Sequence, residues 1–193
     1  GAYALVSVSG SEKGVSLRKA SVSYGGYRAE ASGSADFAEA GRLGFEAKLS
    51  LEDVPYSVKG TYAGEGLFLS GDYGLEVKLR GMGGETYLEA RADGLPIPLK
   101  GATLVVGLDA DGRYAGPADW SLLLSSLSAE LAGSAGAGLP RLGLSGTLGP
   151  AGGDFPSISL SDAESTLSGS GRLDYDLSRS SRSASFKGGL SGK

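Results

Sequence analysis

From Tyr27 to Leu79 apolar and polar residues alternate, strand after strand, with no helical stretch between them. Tyr27, Ala29, Ala31, Gly33, Ala35 and Phe37 interleave with Arg28, Glu30, Ser32, Ser34 and Asp36; Leu43, Phe45, Ala47, Leu49 and Leu51 interleave with Gly44, Glu46, Lys48, Ser50 and Glu52. Val54, Tyr56, Val58 and Tyr62 do the same against Ser57, Lys59 and Thr61. Successive side chains of a strand point to opposite faces, so a period of two predicts a long sheet with one apolar and one wet face. The same phase assigns Leu67, Leu69, Leu75, Val77, Leu79, Leu88, Leu104, Val106, Leu108, Leu144, Leu160, Leu173 and Tyr175 to the apolar set.

The pattern predicts strands at 2–9, 15–24, 27–38, 42–52, 54–63, 66–73, 74–80, 85–93, 102–110, 140–148, 156–161, 164–178 and 183–187. Gly25-Gly26, Gly64-Glu65-Gly66, Gly83-Gly84, Asp93-Gly94 and Asp111-Gly112 read as the turns between them, since these residues accept the positive φ of tight hairpins. Leu95-Pro96-Ile97-Pro98-Leu99 reads as a crossover or a sheet edge near 95–101, because alternating prolines cannot donate to a ladder. Residues 132–139, almost all Gly, Ala and Ser, read as a flexible connection within a single β-rich segment spanning 1–193. The stretch 120–131 fits two periods. Trp120, Leu123, Leu124, Leu127 and Leu131 match a helix with Asp119 as its cap, whereas Trp120, Leu122 and Leu124 followed by Leu127, Ala129 and Leu131 match a strand bulged at Ser125-Ser126. The strand reading is preferred.

Composition sharpens the picture. The 193 residues include 34 Gly, well above the average usage of roughly 7%. Gly33, Gly60, Gly71, Gly146, Gly169 and Gly171 fall in the apolar phase, where a missing side chain lets a sheet bend. A net charge of −4 speaks against nucleic acid as a partner, which calls for a basic patch. There is no Cys, hence no disulfide framework or thiolate metal site, and no apolar run long enough for a membrane-spanning helix. A start without a basic leader, and ends that fall in mid-pattern, create the expectation of a segment of a longer protein whose anchor lies elsewhere.

Little in the chain is written for catalysis. With no His, a Ser-His-Asp triad and His-ligated metal are excluded. Ser16-Leu-Arg-Lys19 has Ser-x-x-Lys spacing but sits in a strand pattern, not at the helix start that chemistry requires. Asp109-Ala-Asp111-Gly112 lacks the later ligands of a calcium loop and reads better as a hairpin turn. Gly188 to Lys193 stops short of a phosphate loop. Glu52-Asp53 and Asp174/Asp176 fall mainly on the wet phase. No enzyme and no cofactor are expected. The aromatic residues Tyr27, Phe37, Phe45, Tyr56, Tyr62, Tyr73 and Tyr175 fit a closed sandwich core and an open groove equally well.

Two phrases recur. Val15-Ser-Leu-Arg-Lys-Ala20 is echoed by Ile158-Ser-Leu-Ser-Asp-Ala163, and Ala31-Ser-Gly-Ser-Ala-Asp-Phe37 by Gly169-Ser-Gly-Arg-Leu-Asp-Tyr175, the pattern of a repeated hairpin unit. With Leu167 to Leu177, these phrases resemble the TamB/AsmA-like family over essentially the whole chain. That resemblance implies a β-taco: an elongated, curved, antiparallel-rich sheet folded into a U around a hydrophobic groove, with few or no helices. It also implies a bridge through the periplasm, anchored in the inner membrane by a segment outside this chain, which passes phospholipid towards the outer membrane beside the β-barrel partner TamA. The groove residues implied are Tyr27, Phe37, Leu43, Phe45, Leu49, Leu51, Tyr56, Val58, Leu67, Leu69, Leu75, Val77, Leu79, Leu88, Leu104, Val106, Leu108, Leu144, Leu160, Leu173 and Tyr175.

Sheltering acyl carbons from water gains roughly 0.8 kcal/mol per CH₂, on the order of 12 kcal/mol for a sixteen-carbon chain. A uniform trough spreads this gain evenly along its length, so a lipid can slide without a deep trap. A structural or adhesive β-solenoid or sandwich of the cell envelope is the alternative, distinguished by a short fixed repeat and polar faces all round. Unprotected edges also create the expectation that the isolated chain self-associates.

Overall fold

The computed structural model describes residues 3–24, 27–39, 42–64, 66–99, 102–132, 140–176 and 183–192. Among these there is no helix. The strands are β1 (Tyr3–Ser11), β2 (Gly14–Tyr24), β3 (Tyr27–Glu39), β4 (Arg42–Leu51), β5 (Val54–Ala63), β6 (Gly66–Gly71), β7 (Glu76–Met82) and β8 (Glu85–Leu99). They continue as β9 (Ala102–Gly116), β10 (Asp119–Ala132), β11 (Arg141–Gly149), β12 (Gly152–Ser161), β13 (Thr166–Asp176) and β14 (Ser183–Gly192). Every strand pairs antiparallel with its sequence neighbours, giving one curved, unclosed sheet of the taco kind in the order β1 to β14.

Short turns enforce this meander. Gly83 and Gly84, at φ 63° and 86°, join β7 to β8 through the paired residues Met82 and Glu85. A two-residue hairpin with positive φ at both central positions matches the twist of its strands. Between Leu51 and Val54 the same turn is made by Glu52 and Asp53, at φ 48° and 67°. There the Glu52 carboxylate accepts the backbone N–H of Arg28, and the Glu52 N–H donates to the Arg28 carbonyl.

The register places most apolar residues of each strand on one face, with Leu5, Phe68, Val105 and Leu123 on the other. Phe45 stands opposite Gly60, Gly60 opposite Leu69, Leu69 opposite Val77, and Val77 opposite Ala90. The row continues through Ala110, Leu124 and Gly146. Four bulges preserve it where strict alternation would fail. Apolar positions step by three instead of two from Leu17 to Ala20, Ala92 to Leu95, Leu124 to Leu127 and Phe155 to Ile158, and the ladder shifts register at each. An extra residue on one strand absorbs the step, so parity changes in sequence while the face is kept.

These bulges correct several expectations. Asp93-Gly94 is no hairpin turn but the bulge of β8, with Gly94 at φ 67°. The segment 95–99 makes no crossover: it continues β8 in register with β9, Pro96 opposite Val105 and Pro98 opposite Thr103. Its other side is a local edge, because β7 reaches only Arg91, so the missing proline N–H groups leave no gap in a ladder. Asp111-Gly112 lies inside β9, where Gly112 on the apolar face makes room for Leu88 and Leu122. β12 begins at Gly152, before its bulge, rather than at 156. The stretch 120–131 is strand, bulged at Ser125-Ser126. The connection 133–139 and the Gly25-Gly26 turn lie outside the described residues, as do Glu65 and residues 100–101.

Candidate functional site: an uncovered apolar face

Among the described residues no second layer lies over the apolar face. Substantial contacts run only between neighbouring strands. The accessible surface is 12451 Å², whereas a compact monomer of 19.4 kDa exposes about 8,500 Å². The excess is what an open sheet leaves bare.

The predicted groove residues come together on this face. Leu43 pairs with Tyr62, Leu49 with Tyr56, Leu51 with Val54, and Val58 with Ala47. Leu67 pairs with Leu79, which pairs on its other side with Leu88. Leu104, Val106 and Leu108 stand opposite Ile97, Leu95 and Ala92. Leu144 faces Ile158, Leu160 faces Leu167, Leu173 faces Phe186, and Tyr175 faces Ala184. Two residues differ in setting. Leu75 lies in the turn before β7, its side chain close to Gly71, and Phe37 stands by the bulge of β3, well exposed. Tyr27 begins β3 opposite Tyr24, and its side chain lies outside the described part of the structure.

The face is unevenly filled. Leu49 and Tyr62 remain 44% and 48% exposed, whereas Ala110, Leu124 and Phe155 are the buried hydrophobic residues described. Leu108, Leu122, Leu144, Leu148, Ile158 and Leu173 pack around those three. Phe155 lies against Gly146, where an added Cβ would sit 2.7 Å from the ring. Bulges at Ser125-Ser126 and after Phe155 flank this row. Beside this row opens a cleft of about 830 Å³, lined in part by Leu124, Ser145, Asp154, Phe155, Arg172 and Lys187. Phe155 escapes a strict period-two reading because the bulge after it puts it out of phase with Ile158 and Leu160, and a step of three between two in-phase runs is the signal that finds it; Leu124 and Leu148 lie in phase with Leu122 and with Leu144.

Two tyrosine hydroxyls on the apolar side are tied to backbone carbonyls. β6 and β7 form a short hairpin between two longer strands, and beyond its turn the Tyr56 hydroxyl donates to the Pro96 carbonyl, joining β5 to β8. Tyr73, at φ 59° in that turn, meets Tyr56 edge to face at 5.9 Å and donates to the Pro55 carbonyl at 3.4 Å. The Tyr175 hydroxyl donates to the Gly149 carbonyl. Desolvation raises the pKa of both Tyr56 and Tyr175, so both phenols stay neutral. Among the described residues no buried side-chain N or O lacks a partner.

The wet face carries the charge, as cross-strand pairs. Lys78 meets Glu89 at 3.3 Å, Arg91 meets Asp109 at 3.5 Å, and Arg113 meets both Glu85 at 2.6 Å and Asp119 at 2.8 Å. Hydrogen bonds from Arg113 and Tyr87 lower the Glu85 pKa to about 2. Asp109, once it belongs to this ladder, no longer suggests a cation loop, and no cluster of His, Cys, Asp or Glu suited to a metal occurs among the described residues. No helix of the described residues is long and apolar enough to cross a membrane. Compared with protein-family models, with curated proteins and with solved structures, the chain matches none.

Proposed function

We propose that the chain is a segment of a bridge-like lipid transfer protein of the TamB/AsmA-like kind, sheltering phospholipid acyl chains as they pass through the periplasm between the inner and outer membranes. The observation that carries this reading is a single apolar face, continuous over the fourteen described strands and covered by no other described part of the chain. With strands spaced about 4.8 Å apart, that face extends roughly 60 Å along the sheet. Side chains such as Leu49 and Tyr62 keep nearly half their surface available to a guest. The hydroxyls of Tyr56 and Tyr175 are bound to backbone carbonyls, so the lining holds no free polar anchor there to trap a sliding lipid. In the parent protein, an inner-membrane anchor and the barrel protein TamA would mark the two ends of the path.

Purification without detergent, followed by lipid extraction and native mass spectrometry, tests the reading. Bound phospholipid is expected in the wild type. Leu49→Asp, which puts an unpaired charge on the apolar face, should lose most of it, and Ser50→Asp on the opposite face should keep it. Lipid-free wild-type protein that stays lipid-free after incubation with phospholipid vesicles would refute the proposal and return the chain to a structural role in the cell envelope.

A further inference from the structure

β6 and β7, with 6 and 7 residues, are the shortest of the described strands, and they stand between β5 with 10 and β8 with 15. The hairpin they form stops short of its neighbours on one side. β5 pairs with β6 only from Val58 onwards, and β8 pairs with β7 only as far as Arg91. Residues 54–57 of β5 and 95–99 of β8 therefore flank a notch in the interior of the sheet, with the turn 72–75 as its floor. At the level of the hairpin the two walls are three ladder spacings apart, about 14 Å. Beyond it the Tyr56 side chain reaches from one wall to the other and donates its hydroxyl to the Pro96 carbonyl, so the walls lean together over the turn.

The sequence of both walls prevents them from zipping. In an antiparallel strand the N–H and carbonyl of one residue point to the same edge, and the next residue's point to the other. Pro96 turns its carbonyl to Tyr56, so its nitrogen, with no hydrogen to donate, faces the notch; Pro98 repeats this two residues on. On the other wall Ser57 meets Asp72 through both its N–H and its carbonyl, and Pro55, two residues before it, offers its carbonyl to the Tyr73 hydroxyl at 3.4 Å. Prolines thus stand on both walls where ladder donors would be needed, and no regular ladder closes the gap. Side chains bridge it instead. The ring of Tyr73 meets that of Tyr56 edge to face at 5.9 Å, and Tyr73 holds φ 59°, a left-handed backbone rare for a bulky residue. The floor is tied to both walls, by Asp72 to Ser57 and by the Asp93 N–H to the Tyr73 carbonyl.

We propose that the described sheet consists of two leaves, β1 to β5 and β8 to β14, which swing about the β6–β7 hairpin, and that the bond from Tyr56 to Pro96 is the latch that holds them at one angle. On either side of the hairpin the strands pair over most of their length, as β4 does with β5 and β8 with β9. Between the leaves only the short ladders of the hairpin and the tyrosine bridges remain. Releasing the latch changes the width of the apolar trough at β5 to β8 without breaking a ladder bond. A few residues at the ends of elements are enough to absorb such a hinge motion. The device does not depend on what the apolar face binds.

The chain has no Cys, so paired cysteine substitutions carry spin labels without background. Lys48→Cys with Ser126→Cys reports across the hairpin, from β4 to β10, and Ser126→Cys with Lys187→Cys reports within the second leaf. Adding Tyr56→Phe keeps the ring and removes the latch. It should broaden and shift the distance distribution across the hairpin and leave the one within the leaf unchanged. Amide exchange in β6, β7 and residues 54–57 should rise about two- to tenfold, the loss of one hydrogen bond, while β10 to β13 keep their rates. Tyr73→Phe, which removes the second bridge, should move the cross-hairpin distance in the same direction. Tyr175→Phe, which removes the bond to the Gly149 carbonyl inside one leaf, should leave that distance alone. Circular dichroism checks that each variant is folded. Folded Tyr56→Phe and Tyr73→Phe proteins whose cross-hairpin distances match the wild type would overturn the proposal, as would an equal change within the leaf or an equal effect of Tyr175→Phe.

Discussion

Two leucines on the same face make the openness of the sheet measurable. Leu49 lies between Ala31 and Tyr56 and is 44% exposed, whereas Leu124 lies between Ala110 and Gly146 and is 7% exposed. Fully burying a leucine side chain stabilises by about 1.5–3 kcal/mol. Leu49 keeps nearly half its surface bare, so Leu49→Ala should cost about 1 kcal/mol. It leaves no enclosed cavity. Leu124→Ala removes the whole transfer term and empties a packed site against Phe155, for about 3 kcal/mol. Urea titration followed by far-ultraviolet circular dichroism measures both. The fluorescence of Trp120, the chain's one tryptophan, serves as a second probe, because a long open sheet need not unfold in one step. Amide exchange in β4 and β10 then assigns each loss to its own strands. If Leu49→Ala costs as much as Leu124→Ala, something covers the β4 region and the reading of an open trough fails.

Glu85 and Gly60 give two further predictions. The folded pKa of Glu85, about 2, lies below its ordinary 4.5, so its pairing with Arg113 stabilises fully above pH 4.5 and is lost progressively as pH falls towards 2. Stability measured through that window should fall more steeply in the wild type than in Arg113→Gln; parallel curves would show that the pair contributes nothing. A Cβ on Gly60 would lie 2.1 Å from the Phe45 ring and 2.7 Å from Leu69, so Gly60→Ala should destabilise by about 1–3 kcal/mol. Phe45→Leu in the same chain should recover part of that loss, and a neutral Gly60→Ala would show that the ring does not rest on this glycine.

The alternation of Leu43, Phe45, Ala47, Leu49 and Leu51 against Gly44, Glu46, Lys48 and Ser50 determined both the strand and its buried side, because side-chain direction follows from backbone pleat alone. Gly83-Gly84 likewise determined its hairpin, for positive φ is a local property. Residues around Asp93-Gly94, Ser125-Ser126 and Pro156-Ser157 were harder to read: a bulge and a turn both interrupt alternation, and only the partner strand distinguishes them. Asp111-Gly112 is the clearest case, a turn by composition that runs straight on as strand because Leu88 and Leu122 close over the glycine. The alternation also could not separate a closed sandwich from an open trough, since both demand the same apolar set. That choice was made by tertiary structure. The fourteen described strands pair only with their neighbours, no other described residue folds back across them, and so Leu124 and Phe155 find cover among their neighbours beside the bulges of β10 and β12 while Leu49 and Tyr62, equally apolar in sequence, remain half bare.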